Sequence, residues 1–206
     1  MNTDIQIIDV GIGNIASVFN MLRRIGAKST FVADPQKISL SSKIILPGVG
    51  SFDAGINALR KNGMDEAVRE AGSRGVYILG ICLGMQLLCK NSEEGKEDGL
   101  GLIDAEVKKF NFPQNSKLKI PHMGWNHVSS QKDNALFLNM YQEPRFYFVH
   151  SYHVVCNELN DVITTTNYGY DFHSSFAHDN IMGVQFHPEK SHKFGMLLLK
   201  NFVENF

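Results

Sequence analysis

Several features that mark specialised classes of protein are scarce or missing in this sequence. Its 206 residues include only three cysteines, Cys82, Cys89 and Cys156, an odd and sparse set that argues against a disulfide framework and favours a reducing compartment. No apolar run approaches the ~20 residues that a membrane span needs, and the first residues are acidic and polar, unlike a secretory signal. The net charge of -1 gives no electrostatic reason to expect nucleic acid or an anionic membrane. We therefore expect a cytoplasmic protein.

The remaining composition is that of an ordinary globular protein. With 43% hydrophobic and 20% charged residues, the sequence predicts one domain over residues 1–206. In the first half, apolar strands alternate with amphipathic helices, as where Ile15, Val18, Phe19 and Leu22 predict a helix over 14–25. This alternation predicts an α/β protein with a mainly parallel central sheet flanked by helices on both faces.

In the second half of the chain the pattern changes to short strands. The runs FYFVHSYHVV, DVITTTNY, FHSSFAHD and NIMGVQFHP follow one another closely, so we expect antiparallel hairpins added to the sheet in the C-terminal half. The stretch NFPQNSKLKIP (111–121) predicts a long loop, and residues 190–205 predict a closing helix. In the first half, KIILPGVGSF predicts a strand that breaks at Pro47-Gly48.

The stretch DVGIGNIA (9–16) lies between a predicted strand and a predicted helix. Gly11, Gly13 and Ala16 fit the G-x-G-x-x-G/A fingerprint, in which small residues let a pyrophosphate approach a helix N-terminus. Asp34 then lies about where a ribose-binding acid would be. The pattern therefore permits a dinucleotide-binding module, although the fingerprint alone is a common false positive.

Cys82 lies in the pattern G-x-C-x-G, between an apolar strand and a helix. Gly80 and Gly84 permit the strained turn of a nucleophile elbow, which holds the side chain out above a sheet. The new helix also directs free N-H groups at the sulfur, which favours thiolate over thiol. The competing interpretation is a buried structural cysteine, and we apply it to Cys89 and Cys156, which have no comparable setting.

The tripeptide His187-Pro188-Glu189 offers a base and an orienting carboxylate for such a thiol. His187 follows an apolar strand, and Pro188 favours an extended backbone there. Residues two apart in an extended segment face the same side, so Glu189 can bind one imidazole nitrogen while the other meets the thiol. Taken together with Cys82, the pattern predicts a Cys-His-Glu triad.

The motifs LPGVGSF, GICLGMQLL, PHMGWN, FVHSY and QFHPEKS, in this order, resemble those of the class I (triad) glutamine amidotransferases. Within that family, DVGIGN and PHMGWN resemble the glutaminase subunits of imidazole glycerol phosphate synthase, and the resemblance covers essentially the whole chain. It implies a flavodoxin-like fold and hydrolysis of L-glutamine to L-glutamate and ammonia. It also implies a heterodimer with a cyclase (β/α)8 barrel, which uses the ammonia in histidine biosynthesis to make imidazole glycerol phosphate and an aminoimidazole carboxamide ribotide.

The resemblance also implies roles for individual residues. Cys82 is expected to be the nucleophile, His187 the acid and base, and Glu189 the carboxylate that orients it. The oxyanion of each tetrahedral intermediate needs fixed N-H donors. We expect one from Leu83 and the other from the turn that contains Val49 and Gly50. For glutamine, the expected binding residues are Gly50, Gln86, Glu94, Ser151 and Tyr152.

For the partner, the resemblance implies an interface at Asn14 and Lys190, with His122 and Trp125 in nearby partner-facing loops. It implies neither a cofactor nor a metal ion. In such an enzyme DVGIGN is a turn at the end of the first strand, and Asp34 caps a helix before Pro35.

Three alternatives remain at this point. A Rossmann-type binding module would use Gly11 to Ala16 and Asp34. Another cysteine hydrolase on the same scaffold would share the G-x-C-x-G pattern, but PHMGWN and DVGIGN argue against it. A glutaminase that feeds ammonia to a paralogous acceptor outside histidine biosynthesis would look alike in sequence.

Overall fold

The computed structural model describes residues 4–40 and 43–206, so the first three residues, which are considered above as a signal, lie outside the described part, as do residues 41–42. Strands and helices alternate in the first half of the chain, as the apolar pattern predicts. The strands are β1 (Ile5–Ile8), β2 (Ser29–Val32), β3 (Lys43–Gly48) and β4 (Tyr77–Cys82). The helices are α1 (Ile15–Arg24), α2 (Phe52–Arg60), α3 (Met64–Ser73) and α4 (Leu83–Leu87). The helix predicted over residues 14–25 is confirmed as α1.

Short strands fill most of the second half. They are β5 (Asn91–Ser92), β6 (Ala105–Lys109), β7 (His122–His127), β8 (Ser129–Ser130), β9 (Arg145–His150), β10 (Tyr152–Cys156), β11 (Val162–Asn167), β12 (Asp171–His178) and β13 (Ile181–Val184). Helix α5 (His192–Glu204) follows, after a 3-10 turn at Pro188–Lys190. Residues 111–121 contain neither helix nor strand, as predicted for a loop.

The central sheet has the strand order β2-β1-β3-β4-β13-β12-β10-β6-β5, with β11 beside β12 and β8 beside β11. Strands β2, β1, β3, β4 and β13 are mutually parallel neighbours, which is the strand order of a flavodoxin-like sheet. Strands β12 and β10 extend it in antiparallel fashion. The predicted α/β fold, mainly parallel with antiparallel additions, is confirmed.

Two predicted details differ from the structure. Strands β7 and β9 form a separate two-stranded sheet instead of joining the central one, and Tyr147 of β9 bridges to His187. Strand β3 does not break at Pro47 but continues through Gly48. It can do so because β1 pairs with β3 only as far as Ile45, so Pro47 lies where β3 has a ladder partner on one side only.

Helices cover both faces of the parallel strands, as predicted. On one face, α2 and α3 bury Ile56, Leu59 and Val68 in the core. On the other, α1 and α5 bury Leu22 and Leu198, together with further apolar residues. A helix able to cross a lipid bilayer is absent from the described residues, because none combines the necessary length with an apolar composition. The packing leaves the carboxyl ends of β3, β4 and β13 at one edge of the sheet, where Gly48 pairs with Cys82.

Candidate active site

Cys82 lies at a strained turn between β4 and α4, which we call the elbow (residues 80–84). Its backbone has φ 55° and ψ -113°, a conformation that L residues rarely adopt. The flanking glycines are needed for space. A Cβ on Gly84 would lie 1.8 Å from the carbonyl oxygen of Leu46, and one on Gly80 would lie 2.7 Å from the carbonyl oxygen of Gly84. The turn predicted from the G-x-C-x-G spacing is therefore present.

His187 and Glu189 form a buried pair beyond the end of β13. The Nδ1 atom of His187 lies 2.7 Å from Oε1 of Glu189, and both side chains are almost completely buried. The backbone N-H of His187 donates to the carbonyl oxygen of Tyr147 at 2.9 Å. The hydroxyl of Ser191 donates to the carbonyl oxygen of His187 at 2.6 Å. These bonds fix the segment so that Glu189 meets the imidazole, as predicted, but the two side chains meet through a 3-10 turn at Pro188–Lys190 and not through the extended backbone that the sequence predicts.

The electrostatics of His187 tie it to Cys82 as well as to Glu189. Burial by itself disfavours the imidazolium and lowers the pKa of His187. The neighbouring Cys82 sulfur and the hydrogen-bonded carboxylate of Glu189 outweigh burial and raise the pKa of His187 to about 10. An imidazolium held beside a cysteine is the arrangement that activates a thiol nucleophile.

A cavity of about 320 Å³ joins the elbow to the end of β13. Most residues that the sequence analysis proposed for chemistry and for glutamine line it, and these are Val49, Gly50, Cys82, Leu83, Gln86, Glu94, Ser151, Tyr152 and His187. Glu189 lies behind His187, outside the lining, as expected of a residue that acts through the imidazole. These residues come from five separate stretches of the chain and meet in one cavity.

The matching family model, described as glutamine amidotransferase class-I, covers residues 6–206. The chain belongs to the class I glutamine amidotransferases. It is 48% identical over 201 residues to the imidazole glycerol phosphate synthase subunit HisH 2 of Methanococcus maripaludis, covering 97% of this chain and 98% of that protein. The protein of the same name from Pseudomonas aeruginosa is 48% identical with the same coverage. The structure of PurLQS from Thermotoga maritima is 18% identical and shows the fold alone, with a TM-score of 0.75 over 100% of this chain and 99% of that one.

In this amidotransferase the stretch at residues 47–50, which we call the 47–50 turn, lies beside the elbow and lines the cavity with Val49 and Gly50. Val49 is 45% exposed, and Gly50 has φ 112°, in the region that favours glycine. A Cβ on Gly50 would meet no atom within 4 Å, so conformation and not space requires glycine there. Pro47 and Gly48 of this turn are the last residues of β3, which pairs with β4, so the turn brings its peptide groups next to Cys82.

The two expected substrate side chains have protein partners. Gln86, which is buried, donates from Nε2 to the carbonyl oxygen of Tyr152 and to Oε1 of Gln185, each at 3.0 Å. Glu94 accepts the backbone N-H of Phe52 at 2.8 Å through Oε2, at the start of α2. The carboxylate of Glu94 thus stabilises a helix N-terminus as well as lining the cavity.

Sequence reasoning missed Gln185, His150, Val149 and Pro121. The last three line the cavity, and Gln185 is fully buried with its Nε2 3.9 Å from the sulfur of Cys82. A local signal existed for Gln185, because it lies two residues before His187 in an extended segment and so faces the same side. No such signal marks Pro121, which reaches the cavity from the loop at 111–121.

The expected partner-facing residues divide into two groups. Asn14 and Lys190 are exposed, and Trp125 is 44% exposed with its ring stacked on His192 at 5.5 Å. The loop placement expected for Trp125 and His122 is wrong, because both lie on β7, and His122 is only 3% exposed. Its ring stacks on Tyr168 with centroids 4.0 Å apart, so the side chain does not face a partner.

The remaining motifs are structural. Asp34 accepts the N-H of Gln36 at 3.0 Å and so caps the 3-10 segment Pro35–Leu40, as predicted. A Cβ on Gly13 would lie 3.4 Å from the Cα of Gly48, so the DVGIGN turn packs against the 47–50 turn. Cys89 and Cys156 are buried, which raises the pKa of Cys89 well above its ordinary value and that of Cys156 to about 12.

Proposed function

We propose that the chain, acting as one glutaminase domain over residues 1–206, hydrolyses L-glutamine to L-glutamate and ammonia with Cys82, His187 and Glu189 as its triad. The observation that carries the proposal is the buried His187–Glu189 pair, 2.7 Å apart, beside a cysteine held in a strained elbow. Membership of the class I glutamine amidotransferases supports the same reaction.

The chemistry assigns each group one task. The Cys82 thiolate attacks the side-chain amide carbon of glutamine and forms a tetrahedral intermediate. The imidazolium of His187 donates its proton to the departing nitrogen, the C-N bond breaks, and ammonia leaves a glutamyl thioester on the sulfur. The neutral imidazole then takes a proton from water, whose oxygen attacks the thioester carbon. Breaking the C-S bond releases glutamate and restores the thiolate.

Both tetrahedral intermediates carry an oxyanion that two N-H groups would stabilise. The Leu83 amide is one donor, because it begins α4 directly after the nucleophile. The 47–50 turn supplies the other, from Val49 or Gly50. Because Gly50 has no Cβ, its backbone can change conformation at lower cost than that of another residue.

The cavity lining suggests how glutamine is held. Gln86 lies one helical turn beyond Cys82 and contacts the bound amino acid. The negative charge of Glu94 binds the α-ammonium group, and the lone pairs left on its carboxylate allow this beside the bond to Phe52. Backbone groups of Ser151 and Tyr152 bind the α-carboxylate end.

We further propose that the ammonia passes to a cyclase (β/α)8 barrel that forms a heterodimer with this chain and produces imidazole glycerol phosphate in histidine biosynthesis. The names of its relatives, each a subunit of imidazole glycerol phosphate synthase, support this partner. Asn14, Trp125 and Lys190 are exposed and available to the barrel. Asn14 directly follows Gly13, which packs on the 47–50 turn, so docking at Asn14 can reach the oxyanion donors.

Replacing Cys82 by alanine tests the reaction. Glutaminase activity, measured with the cyclase bound, should be abolished while fold and partner binding persist, because alanine keeps the Cβ of this buried residue and removes only its sulfur. Cys89→Ala and Cys156→Ala are matched controls and should keep wild-type chemistry. Activity of Cys82→Ala above a tenth of wild type would show that the triad assignment is wrong.

Growth of a histidine auxotroph that lacks its own glutaminase tests the acceptor. Rescue by this chain supports the histidine-pathway cyclase. The names of both relatives described above carry the numeral 2, and we therefore keep a paralogous acceptor as the second candidate. Failure of rescue by a chain that retains glutaminase activity would favour that candidate.

A further inference from the structure

The sulfur of Cys82 lies at one end of a chain of buried amides. Nε2 of Gln185 donates to the sulfur at 3.9 Å, and Oε1 of Gln185 accepts from Nε2 of Gln86 at 3.0 Å. The same Gln86 nitrogen donates to the carbonyl oxygen of Tyr152 at 3.0 Å. Gln185 is fully buried and does not line the cavity, so it reaches the nucleophile from inside the protein and not from the substrate side.

The direction of this chain is fixed by the Tyr152 carbonyl, which can only accept. Gln86 must therefore point its NH2 group at the carbonyl, and the second N-H of that group points at Gln185. Gln185 must then present its oxygen to Gln86 and its own NH2 group to Cys82. Reversing either amide would oppose two donors or two acceptors inside the core, where unpaired polar groups are costly.

A second arm occupies the other lone pair of the Tyr152 carbonyl. Nδ1 of His150 donates to that oxygen at 2.8 Å, which leaves Nε2 of His150 to accept from Nδ1 of His122 at 3.0 Å. Nε2 of His122 then accepts from Nδ2 of Asn126 at 3.2 Å. The backbone N-H of His127 donates to Oδ1 of Asn126 at 2.8 Å and fixes the orientation of that amide.

The histidines of this arm are neutral at physiological pH, as the pattern requires. Burial lowers the pKa of His150 to about 3 and that of His122 to about 4. If His150 were protonated, its Nε2 would also carry a proton and would oppose the N-H of His122 Nδ1. With both lone pairs of the Tyr152 carbonyl occupied, Gln86 has one orientation, and so has Gln185.

We propose that Gln185 is a further catalytic residue, which donates its amide N-H to the Cys82 sulfur and stabilises the thiolate, and that Gln86 and the Tyr152 carbonyl hold it in this orientation. The proposal rests on the assigned role of Cys82. A donor aimed at a sulfur strengthens as negative charge develops there and weakens as the thioester forms, so Gln185 acts on the reactivity of the nucleophile. Binding of glutamine should be almost indifferent to it, because Gln185 does not touch the cavity.

The test is the pH dependence of Cys82 alkylation by iodoacetamide in the full chain, with Cys82→Ala giving the background. Gln185→Met keeps a similar shape and removes the donor. We expect its alkylation at neutral pH to slow about tenfold and the pH midpoint to rise by about one unit, since one donated bond to a charged group corresponds to about that factor. With the partner bound, kcat should fall while KM stays within about twofold of wild type.

Two further variants separate this role from a loss of buried polar contacts. Gln185→Glu keeps the volume and puts a carboxylate in place of the donating amide, so the midpoint should again move upward, even if Gln185→Met fails to fold. Asn201→Leu removes another buried amide, which lies on α5 and donates to the carbonyl oxygens of Leu136 and Leu138. This variant should leave the pH midpoint of Cys82 alkylation unchanged.

The outcomes distinguish the two proposals. If wild type and Cys82→Ala are alkylated equally, the reactive thiol is absent and both proposals fail. If Cys82 reacts but both Gln185 variants follow the wild-type pH profile, the role of Gln185 alone is overturned. An equal shift in Asn201→Leu would likewise overturn it, because the effect would then be one of general destabilisation.

Discussion

Two glycine-bearing turns flank the cavity, and they use glycine for opposite reasons. In the elbow, glycine is required because there is no room: a Cβ on Gly84 would lie 1.8 Å from a carbonyl oxygen of β3. In the 47–50 turn, Gly50 has open space but a backbone angle, φ 112°, that side chains disfavour. The elbow is buried between strands, whereas Val49 is 45% exposed. Packing therefore holds Cys82, the proposed nucleophile, in one position, whereas it does not hold the proposed oxyanion donor.

This difference is what we expect of a glutaminase that is activated by binding its partner. Packing fixes the position of Cys82, because the close contacts of the elbow leave one arrangement. A peptide in an exposed turn can change orientation at low cost, so activation can act on the donor without disturbing the nucleophile. The two turns are in contact at Gly48, the last residue of β3, where an added Cβ would lie 2.9 Å from the backbone nitrogen of Gly84.

Replacing one glycine of each turn by alanine should show the largest difference between the two turns. Gly84→Ala should lose more than about 4 kcal/mol of stability or give no folded protein, because its Cβ meets backbone on β3. Gly50→Ala should cost about 1 to 2 kcal/mol, from backbone strain alone. Urea unfolding of the purified variants measures both, with Gly26→Ala as a second positive-φ glycine in open space. Equal losses at positions 84 and 50 would remove the distinction.

Substitutions in the proposed triad should reduce activity to different degrees. His187→Ala should be nearly as damaging as loss of Cys82, because His187 transfers the protons. Glu189→Gln should cost about ten- to a thousandfold, since it only orients His187 and stabilises its charge. The double variant His187→Ala/Glu189→Gln should lose no more activity than His187→Ala alone. Single-turnover thioester formation with the partner bound measures the chemical step. A harmless Glu189→Gln would place the third member of the triad elsewhere.

On the adjustable side, activity should depend on the partner. We expect little glutaminase activity from the isolated chain and strong stimulation by a ligand-bound cyclase, because the 47–50 turn must present its donor. Gly50→Ala should reduce the stimulation about tenfold without removing partner binding, since the added Cβ restricts the turn. Steady-state ammonia release with and without the partner measures this. Comparable turnover in both conditions would contradict a role for the turn as a switch.

The smallest expected effect is a loss of stability in alkaline solution, which arises from the His187–Glu189 pair. The pKa of His187 is raised from 6.5 to about 10, so its pairing stabilises the fold fully below pH 6.5, and this contribution is lost as the pH rises towards 10. Glu189→Gln should make that loss shallower, whereas Gly50→Ala should follow the wild-type slope. Urea midpoints between pH 7 and pH 10 measure the difference. Parallel slopes for all three proteins would contradict the charge assigned to the pair.

Short-range patterns predicted much of the fold and the central part of the site. The alternation of strands and helices was readable because each element carries its own periodicity, and α1 begins and ends within a residue of its prediction. Cys82 was recognisable because the glycines that permit the elbow are its near neighbours. His187 and Glu189 were recognisable because they are near neighbours in sequence, although a 3-10 turn and not an extended segment brings their side chains together.

Tertiary structure alone decided what depends on residues distant in sequence. Gln86 and Gln185 are 99 residues apart and meet only because β13 lies beside β4. His122 reads as a surface residue in PHMGWN, yet the pairing of β7 with β9 turns it inward onto Tyr168. A strand's own pattern states that one side is buried but not which neighbour buries it. The sequence by itself therefore determined the elbow and the His-Glu pair, whose geometry is local, and the folded chain determined which buried donors surround the sulfur.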